Sequence, residues 1–224
     1  MTRPSPLPVV ILVSGRGSNL QAIIECTRSG KLPIDIRAVI SNRPLCGGLK
    51  IAADANINRE VVDHTEYATR TEFDQVLQQQ IDRHEPALVI LAGFMRILTP
   101  GFVQHYLGRM LNIHPSLLPD FPGLHTHQRA IDAGHTEHGA SVHFVTEDTD
   151  GGPVFLQARV AVETNDTAEK LATRVLAQEH RLYPLAINWF AQNRIFLDNS
   201  GRIKLDGEVL SSPRELTTES ELQC

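Results

Sequence analysis

The stretch VVILVSGRGSNLQAIIECTRSG, residues 9–30, is an apolar run, a glycine-bearing loop and a segment with helical spacing, in that order. Its opening VVILVS (9–14) is short, β-branched and apolar at consecutive positions, which marks a strand covered on both faces. SNLQAIIECTRSG (18–30) begins with polar residues suited to a helix start and ends on glycine, a helix stop. A strand passing through a tight loop into a helix is the first half of a βαβ unit, and the alternation recurs. IDIRAVIS (34–41), ALVILAG (87–93) and RMLNIH (109–114) read as further buried strands, while TEFDQVLQQQIDRHE (71–85) carries Phe73, Val76, Leu77 and Ile81 at helical spacing. The expected fold is therefore α/β, a doubly wound and mostly parallel sheet.

Beyond residue 140 the pattern changes. ASVHFVT (140–146) and PVFLQARVAV (153–162) flank an Asp-Gly turn and predict an antiparallel addition to the sheet. A long helical pattern runs from Asn165 to about Asn193, with Pro184 expected to kink or split it. RIFLDNSGRIKLDGEVL (194–210) reads as a small hairpin, and the polar stretch 211–224 as a mobile tail. The expected organisation is one domain over 1–210 with two halves, about 1–105 and 106–210.

Composition narrows the function classes. The chain has 224 residues, 42% hydrophobic and 21% charged, enough for one substantial core. With 21 basic against 26 acidic residues and a net charge of −5, it lacks the basic stripe that a phosphate backbone requires, so nucleic acid is not an expected partner. The three cysteines, Cys26, Cys46 and Cys224, are scattered; this argues against a disulfide framework and against paired-thiolate zinc, and fits a reducing, cytoplasmic compartment. The apolar run near the start is too short for a signal and reads as a strand, and no run is long enough to span a bilayer.

Three places carry candidate chemistry. In VSGRGSNL, glycines 15 and 17 let the backbone turn so that amides near Gly17, Ser18 and Asn19 face an anion at the positive end of the helix. The same loop is equally a capped strand-to-helix turn. It lacks the Gly-Lys-Ser/Thr of a P-loop, has leucine at position 20 where a dinucleotide fingerprint needs glycine, and is followed by a second strand ending at Asn42 rather than an acid. A small phosphorylated ligand fits better than NAD or ATP. In RMLNIHPSLLPDFPG (109–123), Asn112 and His114 are two apart on a strand and share a face, while Pro115 holds His114 at the strand end. Taken alone, such a pair is also an ordinary way of satisfying loop backbone groups. Asp150, in TEDTDGGP, is the candidate carboxylate partner for His114, although an Asp-Gly pair by itself is usually only a turn. The ten histidines, among them 125, 127, 135, 138 and 143, contain no helical i, i+4 pair with glutamate, so no metal site is expected.

SGRGSNLQAI, LAGFMRIL, NIHPSLLPDFPGLHTH and GASVHFVTEDTDGGPV, taken in order from about residue 9 to 198, resemble the phosphoribosylglycinamide formyltransferases among folate-dependent formyltransferases. NIHPSLLP with a later DGGP is specific to that wider group. The chain has no room for the extra C-terminal domain of methionyl-tRNA formyltransferase or the N-terminal regulatory domain of formyltetrahydrofolate deformylase. The resemblance implies a Rossmann-like formyltransferase fold whose first half binds the nucleotide phosphate and whose second half is catalytic and folate-binding. It implies 10-formyltetrahydrofolate as co-substrate without a metal, and glycinamide ribonucleotide as acceptor in purine synthesis. It further implies that Gly17, Ser18 and Asn19 hold the phosphate, with Glu179 near the glycinamide end. Arg70, Met95, Arg96, Ile97 and Leu98 would line the folate site with Asn112, Thr146, Glu147, Asp148, Thr149 and Asp150. Asn112, His114 and Asp150 would be the catalytic trio. Two positions depart from the pattern: Leu176 replaces a commonly polar side chain that reaches the phosphate, and Thr149 takes a usually apolar slot. A homodimer is compatible with the sequence. The alternative activities are a formyltetrahydrofolate hydrolase with water as acceptor, and a binding module without turnover.

Overall fold

The computed structural model describes residues 6–198 and 200–216. The chain divides into two compact units, one ending at Leu111 and the other beginning at Asn112.

The first unit holds β1 (Leu7–Val13), α1 (Ser18–Arg28), β2 (Ile34–Ser41), α2 (Gly47–Asp54), β3 (Arg59–Val61), α3 (Arg70–Asp82), β4 (Leu88–Leu91) and α4 (Pro100–His105). β1 lies between β2 and β4, and β3 pairs with the far side of β2; all three pairings are parallel. Val9 through Val13 are fully buried without alternation, as are Leu88, Val89 and Ile90. That is the signature of strands with both faces covered, so the continuous apolar runs are explained by their place in a parallel sheet. α3 starts at Arg70 because Thr69 and Glu72 form a reciprocal capping box. The short α2, α4 and β3 carry too weak a periodicity to stand out in the sequence.

β5 (Met110–His114) leads into the second unit, which contains α5 (Thr126–Asp132), β6 (Glu137–Phe144), β7 (Val154–Ala161) and α6 (Ala168–Ala191). β6 and β7 pair antiparallel, as the sequence pattern predicts. Their connection is longer than a two-residue turn: it runs over residues 145–153 and closes where Phe144 N–H donates to the Pro153 carbonyl at 3.2 Å. Gly152 is required there, since a Cβ on it would sit 1.8 Å from the Phe144 carbonyl oxygen. α6 is one continuous helix with Pro184 inside it, so the expected split does not occur. Leu182, Tyr183, Pro184, Ala186 and Ile187 are all buried on that helix. Tertiary packing of this kind outweighs the local cost of proline.

The C-terminal hairpin is a three-stranded antiparallel sheet, β8 (Ile195–Leu197), β9 (Ile203–Leu205) and β10 (Glu208–Val209). Within the stretch from 211 onward lies β11 (Arg214–Glu215), parallel to β7. Arg159 ties it down by ion pairs to Glu215 and Glu137 at 2.6 and 3.2 Å. Residues 217–224 of the expected tail lie outside the described residues. Eight strands, β1–β7 and β11, thus form a mostly parallel α/β architecture with a separate antiparallel sheet of three. Of the cysteines, Cys46 is a buried free thiol, and Cys26 is disulfide-bonded.

Candidate active site

In the first unit the loop after β1 is shaped by backbone rather than by side chains. Gly17 has φ 83° and caps α1, whose first helical hydrogen bond runs from Gln21 N–H to the Gly17 carbonyl at 2.9 Å. The amides of Ser18, Asn19 and Leu20 therefore precede the helical ladder; no side chain caps the helix and its first turn has no acid. This is a helix start suited to an anion. α2 packs hard against the loop. A Cβ on Gly17 would lie 2.7 Å from Gly48 Cα, and Gly48 N–H donates to the Gly15 carbonyl at 3.1 Å.

Arg70 and the 95–98 segment meet in the same unit. The Arg96 guanidinium lies 5.3 Å over the Phe73 ring on α3, and Asp74 feels the charges of both Arg70 and Arg96. Burial nevertheless pushes the Asp74 carboxyl above the usual carboxylate range, although it accepts the Thr99 N–H at 2.6 Å. Met95 and Ile97 point outward, 60% and 55% exposed.

In the second unit the structure brings the expected trio into one neighbourhood. His114, 6% exposed at the end of β5, has Nδ1 3.4 Å from Asp150 Oδ2, and its Nε2–H donates to the Phe121 carbonyl at 3.0 Å. Both ring nitrogens thus face acceptors. Asp150 sits in the left-handed region at φ 54°, and its Oδ2 also accepts the Gly123 N–H at 2.8 Å. A non-glycine residue held there indicates a conformation set by its surroundings, as at many reactive sites. Asn112 is tied to His143, which sequence reasoning placed only among the metal candidates. His143 Nδ1–H donates to the Phe144 carbonyl at 2.9 Å, so Nε2 is the acceptor for Asn112 Nδ2–H at 3.1 Å. Burial holds the His143 pKa below the usual histidine value, which preserves this neutral tautomer. The signal available in the sequence was His143 on a strand with no exposed face.

Thr146, Glu147, Asp148 and Thr149 lie with Asp150 in the loop after β6, and Glu179 is buried on α6. Two further histidines lie near His114. His127 and His138 are 3.2 Å apart, and Thr126 Oγ1–H donates to the Pro115 carbonyl at 2.7 Å, directly after His114. Burial lowers His127 and pushes His138 down to about 4, so the pair is neutral near pH 7. Among the described residues, no three His, Cys, Asp or Glu side chains are grouped to hold a metal ion, and no helix is long and apolar enough to cross a membrane.

The pattern of the formyl transferase family matches residues 7–187, which include every element just described up to the last turn of α6. The chain belongs to the formyl transferase family. Relatives sharpen the comparison. Phosphoribosylglycinamide formyltransferase of Escherichia coli K12 is 49% identical over 202 residues, 90% of this chain and 95% of that one. The human trifunctional purine biosynthetic protein adenosine-3 is 44% identical over 195 residues, 87% of this chain but 19% of that protein. Among solved structures, the phosphoribosylglycinamide formyltransferase of Coxiella burnetii in complex with CHES superposes with a TM-score of 0.91 at 52% identity, covering 95% of this chain and 100% of that one. As a formyl transferase, the chain has its strand-end histidine, the paired carboxylate and the neighbouring carboxamide in a single unit.

Proposed function

We propose that this formyltransferase moves the formyl group of 10-formyltetrahydrofolate onto the amine of glycinamide ribonucleotide, yielding formylglycinamide ribonucleotide and tetrahydrofolate. What supports this choice of substrates is the extent of the match to phosphoribosylglycinamide formyltransferases, at 49% identity over 95% of the Escherichia coli protein. The observation that carries the chemistry is His114 held against Asp150 at 3.4 Å, on the strand that also presents Asn112.

An α-amino group has a pKa of roughly 7.7–8.0, so near neutral pH a useful fraction of the acceptor is already a free amine and no strong base is needed. The amine nitrogen bonds to the formyl carbon, and negative charge collects on the formyl oxygen. One Nδ2–H of Asn112 is engaged by His143, leaving the second free to donate to that oxyanion. His143, by accepting from Nδ2, also fixes which end of the carboxamide is the donor. His114 Nε2–H is the second donor, and to act it exchanges the Phe121 carbonyl for the reacting oxygen. Collapse breaks the bond from the formyl carbon to the folate nitrogen. That nitrogen must gain a proton to leave, and the attacking nitrogen must lose one. His114 supplies or relays the proton, and Asp150 keeps its ring oriented and charged.

Gly17, Ser18 and Asn19 hold the phosphate by their amides, Glu179 serves the glycinamide end, and Arg70, residues 95–98 and residues 146–150 contact the folate. In this reading the domain is a single working unit over residues 1–210, acting in the cytoplasm. The test is a transfer assay with both substrates, following the formylated nucleotide. Its formation in proportion to enzyme is the expected result. Formate release that does not depend on the amine would instead select the hydrolase, and no reaction of either kind would overturn both.

A further inference from the structure

Asn42 takes the position where a dinucleotide-binding strand would carry an acid, and the proposed reaction gives it no task. Its partner explains it. Ser14, 3% exposed immediately after β1, donates its Oγ–H to Asn42 Oδ1 at 2.5 Å. The same Oγ accepts the Met95 N–H at 2.8 Å, and the Ser14 N–H donates to the Gly93 carbonyl at 3.1 Å. Asn42 is itself fully buried, and its backbone carbonyl accepts the His64 Nδ1–H at 2.8 Å, which anchors the residue. One buried hydroxyl therefore spends its only proton on the end of β2 and its acceptor capacity on the segment after β4. It does so one residue before the loop whose amides face the phosphate.

The segment it ties down is unusual. Met95 and Ile97 are exposed apolar side chains on an irregular backbone, which folding alone does not require. Anchoring that backbone while leaving the side chains open suits a surface kept ready for a flat, largely apolar ligand. We propose that Ser14 is a positioning residue that locks the folate-contacting segment to the phosphate loop, so that one hydroxyl sets affinity for both substrates. This rests on the assignment of residues 17–19 to phosphate and 95–98 to folate.

Ser14→Ala removes the acceptor of the half-buried Met95 N–H bond and takes from the buried Asn42 Oδ1 its Ser14 donor. A buried group left unsatisfied typically weakens a dependent equilibrium by about tenfold or more. The expected result is a KM for 10-formyltetrahydrofolate raised about tenfold, a smaller rise for glycinamide ribonucleotide, and kcat at saturation within about threefold of the parent. A merely structural role would lower the amount of active enzyme, and so apparent kcat, without moving either KM; that outcome overturns the proposal. Ile97→Glu, on the exposed side of the same segment, separates the two failures. If Ile97→Glu raises the folate KM and Ser14→Ala does not, the positioning role is wrong and the folate assignment stands. If Ile97→Glu has no effect, the assignment falls and the proposal with it. Should Ser14→Ala not fold, Ser14→Cys, which keeps a weak donor and acceptor, is measured in its place. It is expected to show the same two KM shifts in milder form, and unchanged KM values would overturn the proposal.

Discussion

The loop at 14–20 and the trio at 112, 114 and 150 are made of different materials. The first is a backbone device: a glycine at φ 83°, a run of helix-start amides, and a neighbouring helix whose Gly48 leaves no space for a side chain on Gly17. The second is a side-chain device, in which an imidazole, a carboxylate and a carboxamide are each held by a second polar group. Phe121 and Gly123 supply backbone partners, and His143 supplies a ring nitrogen. A backbone device suits binding, because amides aimed at a fixed anion need no change during reaction. A side-chain device suits chemistry, because protons must move.

That division of labour predicts a split in the kinetics, and the largest effect belongs to the second region. Purified His114→Ala should lose about 10²–10⁴ in kcat with KM for both substrates little changed. An unaltered kcat would end the catalytic assignment. Asp150→Asn should lower kcat strongly as well, since the amide cannot favour a charged imidazole. His143→Phe, which cannot accept from Asn112, should cost less, about tenfold in kcat, by freeing the carboxamide to rotate. If kcat held while KM rose, the orientation argument would be wrong.

For the first region the expected signature is the reverse. Gly17→Ala must either push against Gly48 or abandon the left-handed conformation, so the KM for glycinamide ribonucleotide should rise about tenfold or more at nearly constant kcat. A fall in kcat with constant KM would blur the contrast between the two regions.

The smallest effect concerns stability. His138 is held down to about 4 by burial, whereas an unfolded histidine titrates near 6.5. Between those values the unfolded chain binds the proton and the folded chain does not. The contribution is therefore complete above about pH 6.5 and lost as pH falls toward 4. Melting temperature should decline over that window, and His138→Gln should flatten the slope. An unchanged slope would remove His138 from the account.

The β-α-β rhythm was legible because continuous apolar runs and helical spacing are local signals, and β2 appears with the bounds its pattern predicts, Ile34–Ser41. The shared face of Asn112 and His114 followed from strand geometry alone. Of the kink or split expected at Pro184, the split does not occur, because a local penalty is visible in the sequence and the packing that overrides it is not. The pairing of Arg214–Glu215 with β7 was not legible for the same reason, its partner being remote in the chain.

By itself the sequence determined the order of the longer strands and helices, the glycine-permitted turn before α1, and which polar side chains share the end of β5. Only the tertiary structure decided that Asp150 reaches His114, that His143 is the partner of Asn112, and that Ser14 binds two other strand ends. The physical reason is range: dihedral preference and periodicity act within a few residues, whereas a hydrogen bond between distant positions exists only after the chain has paid the entropy of bringing them together.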